Sequence, residues 1–421
     1  MRISSVTMFE QSTASMNRQQ SDFLKVSQQI ASGRRVVNPS DDPQAASRAV
    51  GVDQAKAVTE QYGDARTSAR NSLAQTESVL NSVSDAVTSA KTLLVQASSD
   101  TLSDVDRESI ASELKGVYET MLGQANATDG NGRYLFGGYN DSNPPFVKNG
   151  DSAEYRGDQN TRQQRVDASR LMPVTENGAS IFQSVPSSAG YVVEAKRENG
   201  DLNQGNVTFS GPQVSDVNNE DYGQDFRVRF VGDGTNYQVE RNDDGSWVTE
   251  DSDGNDLPTG EWNGEDEDGS LALSFGGLEI TLKGEPEVDD EISVAQAGGE
   301  TREASLFRTM EEAIRVLEEP ANNDTKKADL RNTLNTSMRD LDNALDNVLT
   351  VRASAGARLN ELDVIDAVGD NRSLNYEQTL SDLVDLDYNE AISEYSLRQV
   401  GLQASQKAFV DVKGMSLFDY L

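Results

Sequence analysis

Both ends of the chain carry an apolar side chain at every seventh position. The first 32 residues contain neither glycine nor proline, and their heptad positions are Phe9, Met16, Phe23 and Ile30. Near the other end the heptad positions are Tyr388, Tyr395, Leu402 and Phe409. A seven-residue repeat keeps one stripe of a helix facing a partner helix and favours a left-handed coiled coil. The two ends are therefore predicted to be helices that need a partner, with the remaining chain inserted between them.

Two longer apolar seams predict a helical body. The first follows a turn, where Ser40 or Asp41 is a candidate N-cap and Pro43 suits the first helical position. Its members recur in steps of three and four, and they are Tyr62, Ala65, Ala69, Leu73, Thr76, Leu80, Val83, Val87, Ala90, Leu94 and Ala97. The second seam has the same rhythm and consists of Leu330, Leu334, Met338, Leu341, Leu345, Val348, Arg352, Ala355, Leu359 and Leu362. Helices of this kind bury one another's seams in an antiparallel bundle, so we interpret the stripes as core.

Shorter elements complete the pattern. A helix is predicted over 104–127, where Gly130 and Gly132 follow, and another over 304–317, which Pro320 closes. Between the seams the apolar period changes to two, in the alternating sets Phe226/Val228/Phe230, Leu271/Leu273/Phe275 and Leu278/Ile280/Leu282. With the intervening turns, this period predicts an all-β domain over 188–296 and a smaller β element over 134–166.

The predicted fold class is a multidomain α + β protein. A long coiled-coil-like helical bundle is built from both chain ends, and an all-β domain is inserted in it. The predicted domains are an N-terminal coiled-coil helix (1–42), the first half of the helical body with a small β element (43–187), an outer all-β domain (188–298), the second half of the helical body (299–370) and a C-terminal coiled-coil helix (371–421).

Charge and composition exclude several classes of function. The formal net charge is −34, and residues 201–300 alone carry 25 acidic and 4 basic side chains. Such a polyanion is repelled by nucleic acid and by anionic membranes, so neither is a predicted partner. Cysteine and histidine are absent, which excludes disulfides, thiolate metal sites and histidine-based catalysis. No apolar run is long enough to span a membrane, and the first residues contain no apolar block typical of a secretory signal.

The acidic stretch 251–269 has the composition of a calcium loop but not its register. A loop that begins at Asp251 places Asp256 at position six and Trp262 at position twelve, where glycine and glutamate are required. We interpret the stretch as a solvated loop, and a non-standard calcium or sodium site is the alternative. If Trp247 and Trp262 are exposed they are candidates for a sugar-binding platform, and otherwise they pack in the core.

The adjacent acids Glu265/Asp266 and Asp289/Asp290 are interpreted as surface groups, because no pocket or nucleophile is indicated near them. The sequence therefore predicts no catalytic, cofactor-binding or metal-binding residue and no cofactor.

Four segments resemble the flagellin family. The segment SGRRVVNPSDDPQAASRAV (32–50) is similar to the segment that follows the first terminal helix in flagellins and their junction relatives. The segments NGRYLFGGYNDSNPPF (131–146) and EYRGDQNTRQQRV (154–166) and the ending KGMSLFDYL (413–421) resemble the junction branch, the hook-associated proteins found between hook and filament. The resemblance covers roughly residues 1–180 and 300–421.

This resemblance implies a structural, extracellular flagellar protein, not an enzyme, that is exported by the type III apparatus without a cleaved signal. It implies a ring of copies of the chain that contacts the first hook-associated protein and flagellin, and a cytoplasmic export chaperone that holds the C-terminal helix. The predicted assembly interface consists of the apolar positions of the two ends, which are Phe9, Met16, Phe23, Ile30, Tyr388, Tyr395, Leu402, Phe409, Leu417, Phe418 and Leu421.

Two alternatives remain at this point. Flagellin itself would share the terminal coiled coils and a variable outer domain. An enzyme with a helical scaffold and a β catalytic insert would need a pocket with perturbed carboxylates.

Overall fold

The computed structural model describes residues 5–150, 152–186, 188–232, 234–262, 269–299 and 302–414. The helices in these ranges are α1 (Ser5–Ser32), α2 (Pro43–Ala97), α3 (Asp104–Ala125), α4 (Gly178–Phe182), α5 (Leu306–Glu318), α6 (Asp324–Val384) and α7 (Tyr388–Gly414). The strands are β1 (Phe146–Asn149), β2 (Ser152–Tyr155), β3 (Gln163–Asp167), β4 (Arg170–Pro173), β5 (Tyr191–Glu194), β6 (Thr208–Val214), β7 (Phe226–Val231), β8 (Asn236–Asp243), β9 (Ser246–Val248), β10 (Thr259–Glu261), β11 (Ser270–Phe275), β12 (Leu278–Lys283) and β13 (Glu291–Gln296). The predicted α + β fold class is confirmed.

The chain divides into two compact units. The first unit comprises Met1–Arg66, Val166–Ser169 and Asp363–Leu421, and the second comprises Thr67–Arg165 and Arg170–Leu362. The domain limits predicted from the sequence are finer than this division and remain a prediction.

The helical core of the second unit is formed by the two predicted seams. From Ala69 to Ala97 every seam position of α2 is buried, and so are Leu334, Leu341, Val348, Ala355 and Leu362 of α6. An aromatic cluster joins this core to α5 and β1, because the ring of Phe146 lies 5.0 Å from that of Phe307 and 5.2 Å from that of Phe182. The interpretation of the seams as core is confirmed for these positions, whereas the remaining seam positions are half-buried; they are Tyr62, Ala65, Leu330, Met338, Leu345, Arg352 and Leu359.

The helix ends correct two predictions. The helix α2 begins at Pro43 as expected, but its N-cap is Asp42 and not Ser40 or Asp41, since the Asp42 Oδ1 atom accepts a hydrogen bond from the Ala45 N–H at 3.0 Å. Proline at the first helical position places the cap on the residue immediately before it. The helix α3 ends at Ala125, two residues before the predicted end.

The inserted β region contains two antiparallel sheets. One has the strand order β10-β8-β7-β13-β5, with β9 paired to β8, and the other has the order β11-β12-β6. Their apolar faces form one buried cluster that includes Phe226, Phe230, Leu278 and Ile292. Strands β11 and β12 are joined by Gly276 and Gly277, whose φ angles are +53° and +74°. Positive φ at both central residues is what a two-residue type I′ turn requires, and glycine adopts it without strain.

Several charged side chains of this region are buried, which the sequence interpretation did not predict for Asp290. The Asp290 carboxylate accepts hydrogen bonds from the backbone N–H groups of Gln204 and Gly205, both at 2.8 Å, and lies 3.0 Å from Arg197 Nη2. Its interpretation as a surface group was therefore wrong, because loop backbone donors and an arginine replace water around it. The Arg227 guanidinium is also buried and lies 2.5 Å from Glu240 Oε2. Glu265 and Asp266 lie outside the described residues.

Polar side chains of α6 form hydrogen bonds with one edge strand of each sheet. The Asn332 amide accepts from the Phe209 N–H at 3.2 Å and donates to the Val207 carbonyl at 2.8 Å, at the start of edge strand β6. The Thr336 hydroxyl donates to the Val193 carbonyl of edge strand β5 at 2.6 Å. A helix therefore supplies the hydrogen bonds that a further strand would otherwise make, and it covers edges that would otherwise be free to pair.

We expect Asn332→Leu to lower the free energy of unfolding of the second unit by about 1–3 kcal/mol for each buried backbone group left without a partner. Urea unfolding followed by tryptophan fluorescence measures this, since Trp247 and Trp262 both lie in the β region. The control is Asn335→Leu, whose amide lies 3.5 Å from the Phe209 carbonyl and should contribute less. Equal losses of unfolding free energy in the two variants would show that the hydrogen bonds of Asn332 to the edge of β6 are not what stabilises this region.

The terminal helix pair as a candidate assembly surface

The two terminal helices pack against each other in antiparallel orientation along the predicted heptad positions. The rings of Phe9 and Phe409 are 5.3 Å apart, and those of Phe23 and Tyr395 are 4.9 Å apart. The residue numbers in each of these pairs add to 418, as do those of the remaining heptad positions, Met16 with Leu402 and Ile30 with Tyr388. A constant total is the register of two antiparallel helices, so the two ends of the chain are each other's first partner.

This seam is only partly buried. Phe9 and Tyr388, at the two ends of the seam, are 44% and 51% exposed, and the other heptad positions are half-buried. Within α1 and α7, Val26 and Ala391 are the buried apolar side chains among the residues with described side chains. Two helices alone cannot enclose a core, because each presents just one side to the other. Leu417, Phe418 and Leu421 lie outside the described residues, so their predicted role is not located.

Polar contacts fix the register of the pair. Arg398 Nη1 of α7 lies 2.9 Å from Asp22 Oδ2 of α1, and the same guanidinium binds Glu394 one turn earlier at 3.0 Å. Gly401 faces Gln19 closely: a Cβ atom at position 401 would lie 3.1 Å from the Gln19 Oε1 atom. The heptad pattern does not reveal these residues, because they flank the apolar stripe.

Hydrogen bonds join the segment that follows α1 to the turn between α6 and α7. Gly33 ends α1 with a φ of +69°, which is the left-handed conformation that glycine adopts readily after a helix. The Arg35 N–H donates to the Val384 carbonyl at 2.8 Å, and the Leu386 N–H donates to the Gly33 carbonyl at 3.1 Å. The Arg35 guanidinium adds a hydrogen bond to the Leu383 carbonyl at 2.6 Å. The segment after α1 therefore fixes where α6 ends and α7 begins.

Two carboxylates hold the turn between α1 and α2. The backbone N–H of Asn38 and the ammonium group of Lys25 lower the pKa of Asp41. The backbone N–H of Ala45, followed by the Arg35 guanidinium, lowers the pKa of Asp42. Because both values are depressed in the folded chain, their contribution to stability is present above the unfolded pKa. It is lost as the pH falls through the folded pKa.

The first unit exposes many large apolar side chains. Of the 21 such side chains exposed among the described residues, 13 belong to this unit, which holds less than a third of the chain. They are Phe9, Leu24, Val37, Val50, Val58, Val364, Val368, Leu374, Tyr388, Ile392, Leu397, Val400 and Val410. Its buried apolar side chains, within the described residues, are Val26, Val36, Ala45, Val166 and Ala391. An apolar surface of this kind marks an interaction site.

A second apolar stripe on α7 is turned away from α1. Leu397 and Val400 are 71% and 63% exposed. At 3.6 residues per turn they lie about 200° and 140° around the helix axis from Tyr395, which faces α1. The sequence interpretation missed both residues because it followed one heptad stripe. Their spacing of three residues was the available signal.

Other candidate chemistry does not come together. The described part of the chain contains no group of three acidic side chains placed to hold a metal ion, and no described helix is long and apolar enough to cross a membrane. The Trp262 indole N–H donates to the Gly284 carbonyl at 3.0 Å, and the Trp247 ring lies 4.4 Å from the Arg227 guanidinium carbon. Both tryptophans are half-buried packing residues and do not form an open platform.

Comparison with known proteins identifies relatives of this chain. Residues 3–141 match the model of the bacterial flagellin N-terminal helical region. Flagellar hook-associated protein 3 of Escherichia coli K12 is 33% identical over 419 residues, which cover 99% of each chain. The protein of the same name from Salmonella typhimurium is 32% identical over 99% of each chain.

The chain belongs to the flagellar hook-associated protein 3 family.

The structure of this chain is also similar to solved structures of hook-associated protein 3. FlgL of Xanthomonas campestris is 27% identical with a TM-score of 0.63, and the match covers 78% of this chain and 99% of that chain. Hook-associated protein 3 of Legionella pneumophila has the same fold, with 24% identity and a TM-score of 0.65 over 79% and 98% of the two chains. Flagellin is the weaker alternative, since the full-length matches are to hook-associated protein 3.

Within this member of the hook-associated protein 3 family, we expect Phe23→Ala to weaken the α1–α7 pair. The loss includes about 0.5–1.5 kcal/mol for the aromatic contact with Tyr395, in addition to apolar area. Hydrogen exchange of residues 10–30 in the monomer measures it. The control is Leu24→Ala, which truncates a side chain that is 52% exposed and should leave exchange unchanged. Equal deprotection by both variants would refute the register described here.

Acid should loosen the turn before α2. We expect the protection of the amides at residues 44–47, corrected for the pH dependence of intrinsic exchange, to fall as the pH drops through the lowered pKa of Asp42, because protonated Asp42 accepts less strongly from the Ala45 N–H. Asp42→Asn retains an acceptor and removes the charge, so it should show a weaker pH dependence. If the variant and the natural chain respond identically, Asp42 does not control this helix start.

Proposed function

We propose that copies of this chain form the junction layer between the hook and the filament of the bacterial flagellum. The protein acts there as a structural component and not as an enzyme. The observation that carries the proposal is the α1–α7 pair, whose seam is half-buried and whose outer faces are apolar and exposed. Such a pair gains most of its stability when neighbouring copies cover it.

The proposed partners follow from this position. A ring of copies packs through the terminal helices, with the first hook-associated protein on one side and flagellin on the other. The outward stripe of α7 also needs cover before assembly, which supports an export chaperone in the cytoplasm. In this proposal the protein is exported without a cleaved signal and is located outside the cell.

The inserted β region is proposed as the outer domain. Residues 201–300 carry most of the net negative charge, and their strands enclose their own apolar core. A domain that satisfies its own core and is strongly charged suits the solvated exterior of an assembly. The terminal helices, with exposed apolar side chains, suit its interior.

We expect Leu397→Ser with Val400→Ser to abolish attachment of filaments while the purified monomer keeps its helix content. The apolar stripe that these residues form faces neighbouring copies in the proposed assembly, and its loss recurs in every subunit. Swimming assays and the amount of flagellin shed into the medium report attachment in cells that produce only the variant.

The control is Val105→Ser with Val288→Ser, which changes two exposed valines of the second unit and should leave swimming intact. Immunogold labelling locates the natural protein on detached flagella. Label along the whole filament, or full swimming of the Leu397/Val400 variant, would overturn the proposal.

A further inference from the structure

A cationic cleft opens beside the base of the three-stranded sheet. Its volume is about 620 Å³, and its charged lining consists of Arg107, Lys283, Lys327, Arg331, Asp100 and Asp324. The floor is partly apolar, since Leu102, Leu330 and Leu334 also line it. Four cations against two carboxylates is an unusual balance in a chain of net charge −34.

Two of these cations have no carboxylate partner among the described residues. Arg107 pairs with Asp104, and Lys327 pairs with Asp324 at 3.0 Å, whereas Lys283 and Arg331 form no ion pair there. The contrast is sharpest for Lys283. Residues 201–300 contain three further basic side chains, and each of them pairs with an acid; they are Arg227, Arg229 and Arg241.

The same sheet carries an exposed acidic loop at its other end. Residues 213–220 are all exposed, and Val217 is 61% exposed. The carboxylates of Asp216 and Glu220 form no ion pair with any described residue. The loop is nevertheless held in place, because the Ser215 N–H donates to the Gly277 carbonyl at 2.8 Å and the Asn218 N–H donates to Asp216 Oδ1 at 2.9 Å.

Strand pairing fixes the separation of the two features. Thr208 pairs with Lys283 beside the cleft, and Val214 pairs with Leu278 beside the loop. Seven residues of β6 at about 3.3 Å per residue place the ends roughly 20 Å apart. The acidic loop therefore cannot neutralise the cleft of its own copy. A second copy placed head to tail presents its loop to this cleft, which is a heterologous contact, the type that forms a ring when the rotation between copies closes.

We propose that the loop 215–220 of one copy docks into the cationic cleft of the next copy. Asp216 and Glu220 pair with Lys283 and Arg331, and Val217 contacts the apolar floor. Charge complementarity between two sets of unpaired side chains selects this occupant. The inference deepens the proposed function and rests on it, since copies must be neighbours in the junction layer.

The absence of cysteine from the natural chain allows a direct test. Flagella are isolated from cells that produce a variant with both Val217→Cys and Ala321→Cys, where Ala321 lines the cleft. Mild oxidation should give a ladder of covalent multimers. The control pairs Val217→Cys with Leu349→Cys, an exposed site about 27 Å along α6 from Arg331 at 1.5 Å per residue, and should give no ladder.

Charge reversal tests the chemistry of the contact. Adding Lys283→Glu and Arg331→Glu to the cysteine variant should lower the multimer yield about tenfold or more, because like charges then face each other. Further addition of Asp216→Lys and Glu220→Lys should restore the yield.

No ladder in flagella whose filaments remain attached would overturn the contact but leave the junction role intact. Filaments that carry none of the protein at their base would overturn the junction role itself.

A small anion is the competing occupant of the cleft. Inorganic phosphate is the probe, and the melting temperature of the purified natural chain is measured with and without it at constant ionic strength. A phosphate-dependent rise that Lys283→Glu with Arg331→Glu removes, together with no multimer ladder, would assign the cleft to an anion and overturn the proposal.

Discussion

The constraint on which this protein depends is that its two chain ends are the two halves of one helix pair. Neither end has a core of its own, and each covers one side of the other. The aromatic contacts Phe9–Phe409 and Phe23–Tyr395 hold the seam, and the Asp22–Arg398 ion pair sets its register. Because two helices cannot enclose a seam, the pair keeps apolar outer faces. In the proposed assembly, neighbouring copies complete this burial.

The second unit has the opposite character, since most of its large apolar side chains are buried. One edge strand of each sheet in the inserted β region is bound by side chains of α6. Buried charges are matched in the same way. Arg302 forms two hydrogen bonds to the Asp340 carboxylate, at 2.9 and 2.5 Å, and another to Glu194 at 3.0 Å, so β5 and α6 are joined by one guanidinium. Burial raises the pKa of Asp340, while Arg302 opposes that rise.

This contrast assigns different tasks to the two parts of one chain. The unit with its own core supplies an acidic body, and the unit with little core supplies the exposed apolar surface that we propose contacts neighbouring copies. The charges at the two ends of the three-stranded sheet form no ion pair within a single copy. The strand register keeps these opposite charges about 20 Å apart.

The pattern of apolar residues is enough to predict which segments form helices and strands and which of their faces point inward. Heptads at both ends, seams in steps of three and four and an alternating middle are periodicities of the helix and the strand, which depend on local geometry. Most heptad positions of α1 and α7 therefore lie half-buried along the seam of the helix pair, and their role as an assembly interface remains a prediction. The tertiary structure alone decided which stripe faces which. Leu397 and Val400 are exposed because α1 covers the other side of α7, and Asp290 is buried because a distant arginine and loop amides surround it. Such contacts join residues far apart in the chain, and no local period records them.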